Sequence, residues 1–283
     1  MKKILVTGGV GFIGSNLTYE LNSLGHIVYS LDNYSTGSKS KEIKGVNYIN
    51  SDIEEISNLK ETGFDLCFHL AAQSRVQPSF ENPKESVRVN VTGTTKVMEW
   101  ALKNNIKVIY AGSSSKHHNP SDSPYAMTKF LGEEICKLYK KSFNVNVEIA
   151  RFYNVYGPGE NIDEVYGNVI GIWRSKILKG EHLPIIGDGE QKRDFIHIYD
   201  LVDGLLKIAF SELNHEDAWE LGTGINYSIN NVFEFFNERF NVNSIYLPDQ
   251  QGNYRKTLRE NDDTLKLLNW EPKDRLKEHI INL

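Results

Sequence analysis

Apolar residues in the first half of the chain fall in short β-rich runs separated by helical patterns. Ile4-Leu5-Val6 predicts a first strand, and Phe12 to Leu24 has the spacing of a helix. Ile27 to Leu31 and Val46 to Ile49 predict two more strands, and a short helical stretch surrounds Ile56 and Leu59. Leu66 to Leu70 is another apolar run. Glu85 to Lys103 predicts one long helix, Lys107 to Ala111 a strand, Tyr125 to Lys141 a helix and Val145 to Ala150 a strand. Strands alternating with helices predict an α/β fold: a doubly wound parallel sheet with helices on both faces. The second half is less regular. Asn168 to Leu178, Leu201 to Phe210 and Val232 to Phe240 predict helices, and Pro184-Ile185-Ile186 a short strand. The pattern changes most sharply after Tyr153, where Gly157-Pro158-Gly159 opens a loop. No Pro/Gly/Ser linker follows, so a smaller second lobe is expected to pack closely on the first.

Composition narrows the function classes. A net charge of -5 over 283 residues gives no basic face for a nucleic-acid partner. The apolar runs are too short to cross a bilayer. The opening MKKILVTGG has the charged start of a signal peptide, but its apolar run ends at once in Thr7-Gly8-Gly9, which predicts a buried strand instead. Cys67 and Cys136 have neither metal-ligand nor redox spacing. Two unpaired buried thiols fit a reducing, cytoplasmic setting, and no metal site is expected.

Between the first strand and first helix stands Thr7-Gly8-Gly9-Val10-Gly11-Phe12-Ile13-Gly14. It satisfies G-x-G-x-x-G at Gly9, Gly11 and Gly14, and a second spacing at Gly8, Gly11 and Gly14. Such a turn lets backbone approach a pyrophosphate, and the helix N-terminus then offers unpaired N–H groups. Asp32 ends the second strand 18 residues after Gly14. A carboxylate there accepts from ribose hydroxyls and repels a 2′-phosphate. No Arg or Lys lies in Asp32-Asn33-Tyr34-Ser35-Thr36-Gly37 to offset that repulsion, so NAD is favoured over NADP.

Ser123-Pro124-Tyr125-Ala126-Met127-Thr128-Lys129 begins a helix on which Tyr125 and Lys129 share a face at i, i+4. A free tyrosine, with a pKa of about 10, is a poor base at neutral pH, and making it useful favours phenolate by about 4 kcal/mol. A lysine ammonium one turn away and an oxidised nicotinamide are expected to supply that. Gly112-Ser113-Ser114-Ser115 follows the strand Lys107 to Ala111, at the C-terminal sheet edge where ligands sit in α/β folds. A serine hydroxyl there is placed to hold a reacting oxygen.

These residues resemble the extended short-chain dehydrogenase/reductase family, especially its NAD-dependent sugar-nucleotide epimerases and dehydratases, over nearly the whole chain. The resemblance implies a Rossmann-type domain at 1–153, to which the chain returns around 194–224. It implies a mixed α/β substrate-binding lobe over most of 154–283. It places the cofactor on Gly8, Gly11, Phe12, Ile13, Gly14, Asp32, Asn33, Ser35, Thr36 and Gly37. Asp52-Ile53 is similar to the pair that contacts adenine, and Leu70-Ala71-Ala72-Gln73 after His69 to the strand end beneath the cofactor. Asn90 resembles the asparagine that supports the active-site loop. Ser113 or Ser114, with Tyr125 and Lys129, matches the catalytic triad; Tyr125, Lys129 and Tyr153 also face the nicotinamide half. Asn154, Asn168, Pro184, Ile185, Ile186 and Arg193 resemble the nucleotide-diphosphate site, with Arg193 as its arginine.

The implied function is epimerisation of a nucleotide-diphosphate sugar, most simply at C4, with NAD kept on the enzyme. A reductase, dehydrogenase or dehydratase of the same family is the alternative, and a non-catalytic dinucleotide-sensing module the alternative of another class. The dehydratases' acid pair is absent, with only Ser and Lys at that place, and Lys116-His117-His118-Asn119-Pro120 stands where the family usually has Val-Tyr-Gly and an acidic stretch. His117 and His118 lack a spaced third ligand and are read as loop residues. The second diphosphate arginine is replaced in Gln250-Gln251-Gly252-Asn253, with Arg255 or Arg259 as substitutes. The resemblance also implies a homodimer through a four-helix bundle, with Val97, Trp100, Phe130 and Tyr139 as candidates for its face.

Overall fold

A computed structural model describes residues 1–283. In chain order its first elements are β1 (Lys3–Thr7), α1 (Phe12–Ser23), β2 (Ile27–Asp32), β3 (Asn47–Asn50), β4 (Leu66–His69), α2 (Val76–Glu81), α3 (Pro83–Val87) and α4 (Thr94–Asn104). There follow β5 (Lys107–Ser113), α5 (Pro124–Phe143), β6 (Val147–Phe152), β7 (Asn154–Tyr156), α6 (Val169–Leu178), β8 (Leu183–Ile186) and β9 (Lys192–His197). The chain ends with α7 (Ile198–Phe210), β10 (Trp219–Leu221), β11 (Asn226–Ser228), α8 (Ile229–Phe240), β12 (Ser244–Leu247), α9 (Asp263–Leu268) and α10 (Leu276–Ile281).

Seven strands form one sheet in the order β10-β6-β5-β4-β1-β2-β3. The pairs β1–β2, β1–β4, β2–β3 and β4–β5 all run parallel. This is the expected doubly wound, Rossmann-like sheet. Its central strands are near-continuous apolar runs because helices cover both faces; Ile4, Leu5 and Val6 are wholly buried. The chain divides into two compact units, Met1–Arg151 with Leu205–Trp219, and Phe152–Gly204 with Glu220–Leu283. The second unit holds two smaller sheets. β9 pairs parallel with β7 and antiparallel with β11, and β12 pairs parallel with β8. Its core gathers Tyr156, Trp173, Leu183, Phe195 and Phe236, with Trp173 edge-on to Phe236 at 5.3 Å.

The helix expected over Glu85 to Lys103 is present as one continuous helical run, with a π-helical turn inside it. Asn82 caps α3, whose first residue is Pro83, and a π-helical turn spans Arg88–Gly93 before α4 begins. Such turns insert a residue into the helical ladder and recur at functional sites. Two dimer-face candidates are corrected. Val97 and Trp100 are buried in the core of the first unit with Val108 and Cys136, because the face of α4 that carries them packs onto the sheet. Tyr139 is partly buried against the same core, and Phe130 lies beneath the Lys116 ammonium at 3.9 Å.

Candidate active site

The glycine turn is close-packed backbone. A Cβ on Gly14 would lie 2.0 Å from the Gly8 carbonyl oxygen, and one on Gly9 2.3 Å from Ser30 Oγ. Gly8 has a φ of +71° and faces the Ala71 backbone. Around Gly11 there is space: only the Gly8 oxygen comes near a Cβ, at 3.2 Å. Gly11 also caps α1 without a side-chain hydrogen bond, and no acidic residue stands in the first helical turn. The helix N-terminus therefore keeps its N–H donors and positive end for an anion, which fits a dinucleotide pyrophosphate.

Asp32 braces this turn. One carboxylate oxygen accepts from the Val10 N–H at 3.1 Å and the other from the Tyr34 N–H at 2.8 Å. Each oxygen keeps a lone pair for a ribose hydroxyl. Gly37 lies against Val10, where a Cβ would meet its side chain at 2.6 Å. Asn33 donates to Asp52 at 2.9 Å and accepts from the Ser35 N–H at 3.0 Å. Asp52 is also paired with Arg88 at 2.8 Å, and that guanidinium holds its carboxyl at about 2. The Ile53 side chain is buried against Gly93.

A hydrogen-bond chain that sequence reading missed fixes the loop after β4. The Leu70 and Ala71 N–H groups both donate to Thr7 Oγ1 at 3.2 Å. Thr7 Oγ1 lies 2.9 Å from His69 Nδ1, His69 Nε2 lies 3.1 Å from Thr94 Oγ1, and Thr94 donates to the Asn90 carbonyl at 2.7 Å. Because the last proton goes to a carbonyl, the directions are set. Thr7 donates to Nδ1, and His69 is the neutral Nε2–H tautomer. Burial pushes its pKa down to about 3, and the Lys129 charge acts the same way. Asn90 extends the link: its Oδ1 accepts from the Gln73 N–H at 2.8 Å, and its Nδ2 donates to the Gln73 carbonyl and to Thr128, both at 3.0 Å. Thr7, in the glycine motif, and Asn90, as the loop-supporting asparagine, carried signals in the sequence; the linking roles of His69 and Thr94 did not.

Tyr125 and Ser113 meet directly. β5 runs two residues beyond its expected end, to Ser113, and the Tyr125 hydroxyl donates to Ser113 Oγ at 3.1 Å. Ser115 donates to the same oxygen at 2.9 Å. Of the two serine candidates, Ser113 is the one in contact with the phenol. Ser123 caps α5 by accepting from the Ala126 N–H, Pro124 opens the helix, and Ser79 on α2 accepts the Tyr125 N–H at 3.0 Å. Lys129 is buried, donates to the Ala111 carbonyl, and lies 4.7 Å from the Tyr110 ring centroid. Burial pulls its pKa down to about 8. Burial raises the Tyr125 pKa, with the Ser113 hydrogen bond and the Arg75 charge opposing it. On balance the phenol is raised, not lowered as expected, and the opposing contributions come from Ser113 and Arg75. One turn further along α5, Glu133 is buried and paired with Arg151 at 2.9 Å.

In the second unit the candidates are mostly committed to structure. Tyr153 donates to Glu220 at 2.9 Å. Asn154 donates to the Asp194 carbonyl at 3.1 Å. Asn168 caps α6 by accepting from the Gly171 N–H at 2.9 Å and donates to the Val155 carbonyl at 2.7 Å. On β8, Ile185 is wholly buried, while the Pro184 and Ile186 carbonyls accept from Trp173 and Gln191. Arg193 has only neutral partners, the Lys192 carbonyl at 2.9 Å and Asn253 Oδ1 at 2.6 Å. Neither proposed substitute is free: Arg255 pairs with Asp188 at 2.8 Å, and Arg259 is buried, bonded to the Gly222 carbonyl and paired with Asp262. The buried Asp194, unmarked in sequence, accepts from the N–H groups of Thr223, Gly224 and Arg259 and organises this unit.

Residues 4–222 match the model of the NAD dependent epimerase/dehydratase family. Over 98% of the chain and 95% of its relative, the sequence is 34% identical to a putative UDP-glucose 4-epimerase of Methanocaldococcus jannaschii. It is 28% identical to UDP-glucuronic acid decarboxylase 2 of Arabidopsis thaliana, over 98% of this chain and 66% of that protein. The structure of a UDP-glucuronic acid 4-epimerase from Bacillus cereus, in complex with UDP-glucuronic acid and NAD, matches with a TM-score of 0.88 at 26% identity. That match covers 98% of this chain and 96% of the other.

Proposed function

From the premise that this chain belongs to the NAD dependent epimerase/dehydratase family, we propose that it epimerises a nucleotide-diphosphate sugar, most simply at C4. NAD is the family's cofactor, and when bound it supplies a reversible hydride acceptor and a positive charge beside the phenol. Gly8, Gly11 and Gly14 with the α1 N-terminus would hold its pyrophosphate, and Asp32 a ribose.

The observation that carries the reading is the Tyr125–Ser113 contact at 3.1 Å. Tyr125 takes the proton from a sugar hydroxyl and returns it, and Ser113 bridges the phenol and that oxygen. Lys129 would hold the nicotinamide ribose. Glu133, one turn beyond Lys129 on this helix face, is paired with Arg151, which supports a site with one proton-transfer group rather than the two that elimination needs. Arg193 binds the diphosphate and anchors the nucleotide while the sugar turns. The relatives include a decarboxylase, and the same site would then act on a uronic acid. Incubation with UDP-, GDP-, CDP- and dTDP-sugars, read by NMR, tests this. Inversion at one carbon without net NADH supports epimerisation; loss of carbon dioxide, or net NADH formation, replaces it with another family reaction.

The proposal includes a homodimer through α4 and α5 in a cytoplasmic setting. Leu102, Leu131 and Leu138 are exposed on these helices, at 42%, 37% and 53%. Light scattering should give twice the chain mass, and Leu131→Glu with Leu138→Glu a monomer. No helix is long and apolar enough to cross a membrane.

A further inference from the structure

We propose that Asn253 is a positioning residue that aims the Arg193 guanidinium at a diphosphate while leaving its charge uncancelled. The inference rests on the reading of Arg193 as the diphosphate-binding residue and adds how one arginine suffices.

Arg193 spends two of its five N–H donors, one on the Lys192 carbonyl and one on Asn253 Oδ1. Both acceptors are neutral. Four other arginines of this unit, Arg174, Arg255, Arg259 and Arg275, each have a carboxylate partner. Arg193 has none, and burial lowers its pKa to about 10. A partly desolvated guanidinium without a counter-charge is costly, and an arriving anion recovers that cost.

The other end of the Asn253 amide explains why it stays put. Asn253 Nδ2 donates to Asp249 Oδ1 at 2.9 Å, and that same oxygen accepts from the Gln250 N–H at 2.9 Å. The carboxylate demands a donor and the guanidinium demands an acceptor, so only one amide orientation satisfies both. Asp249 therefore steers Arg193 through the amide without forming an ion pair with it. The segment that lacks the expected second arginine thus supplies an orienting group in its place.

The test uses UDP and inorganic pyrophosphate as probes, with calorimetry on the NAD-loaded enzyme. Asn253→Asp puts a carboxylate on Arg193 and should weaken both probes by about tenfold. Asn253→Ala frees the guanidinium and should weaken them by about threefold. KM for a turned-over sugar nucleotide should rise with kcat unchanged. Arg193→Ala separates the two ideas. If it leaves UDP binding unaltered, the diphosphate reading of Arg193 fails. If it weakens UDP while both Asn253 variants bind like wild type, only the positioning role fails. In the unmutated enzyme, pyrophosphate should shift the Asn253 amide and Arg193 N–H resonances together; a shift of Arg193 alone overturns the proposal.

Discussion

The Tyr125 hydroxyl donates to Ser113 Oγ at 3.1 Å, from the first turn of α5 to the last residue of β5. Ser113 Oγ also lies 2.9 Å from Ser115 Oγ and 3.2 Å from the Ser115 nitrogen, so the three side chains form one hydroxyl cluster. Tyr125→Phe should lower kcat about 10³-fold, and Ser113→Ala about 10²-fold, with NAD retained in both. Ser114→Ala should stay close to wild type. NMR-followed turnover of a nucleotide sugar, with NAD content measured after denaturation, checks the set. A fully active Tyr125→Phe enzyme would remove the proposed base.

Lys129 is predicted to weaken the cofactor-free fold while serving the site. Its folded pKa, about 8, lies below the ordinary lysine value of 10.5. The folded state therefore resists protonation. Its stabilising contribution is present above 10.5 and lost as pH falls through 8, so at pH 7 the buried ammonium is a net cost. Lys129→Met should raise unfolding stability of the NAD-free protein at pH 7 by about 2 kcal/mol, after allowing for the orphaned Ala111 carbonyl, while abolishing turnover. A thermal melt and an NMR titration of the Lys129 side chain measure both halves. A midpoint near 10.5 would defeat it.

The first unit was legible because its signals are local. Glycines mark the turn, apolar runs mark buried parallel strands, and the Tyr125–Lys129 spacing marks a helix face. What escaped depends on distant partners. β7, β10 and β11 have three residues each, too few to show a period, and exist through pairing such as Asn154 opposite Phe195. The π turn at Arg88–Gly93 sits inside a continuous helix and keeps a helical pattern in sequence, so its extra residue left no trace there. The His69 relay needs three residues separated by 62 and 25 positions. Val97 and Trp100 show the reverse error: an apolar helix stripe predicts burial without saying whether a sheet or a partner provides it.

Asp32 should govern cofactor choice. Its carboxylate accepts from the N–H groups of Val10 and Tyr34, and its charge repels a 2′-phosphate. Asp32→Asn keeps the shape but removes the charge, so the preference for NAD over NADP should narrow by about tenfold. Fluorescence titration of both reduced cofactors gives the ratio. An unchanged ratio would mean that the carboxylate does not face the adenosine ribose.

Two buried histidines and one half-buried one should control acid stability. Burial takes His69 down to about 3, and His197 and His279 down to about 4, all below the ordinary 6.5. For His197 the Arg275 charge adds to the effect, and for His279 the charges of His197 and Arg174 do. Between 6.5 and 4 the unfolded chain binds protons that the folded protein refuses. Stability is therefore fully present above 6.5 and falls as pH drops toward 4, by up to about 1.4 kcal/mol per pH unit for each histidine. The Arg88-bound Asp52 carboxylate, at about 2, responds only below the usual carboxylate range, so the histidines dominate this window. Urea unfolding at pH 6.5, 5.5 and 4.8 should show the steep loss, and His197→Asn should shed about one histidine's share of the slope. Equal stability at all three values would show that these rings take up protons in the folded protein as readily as in the unfolded chain.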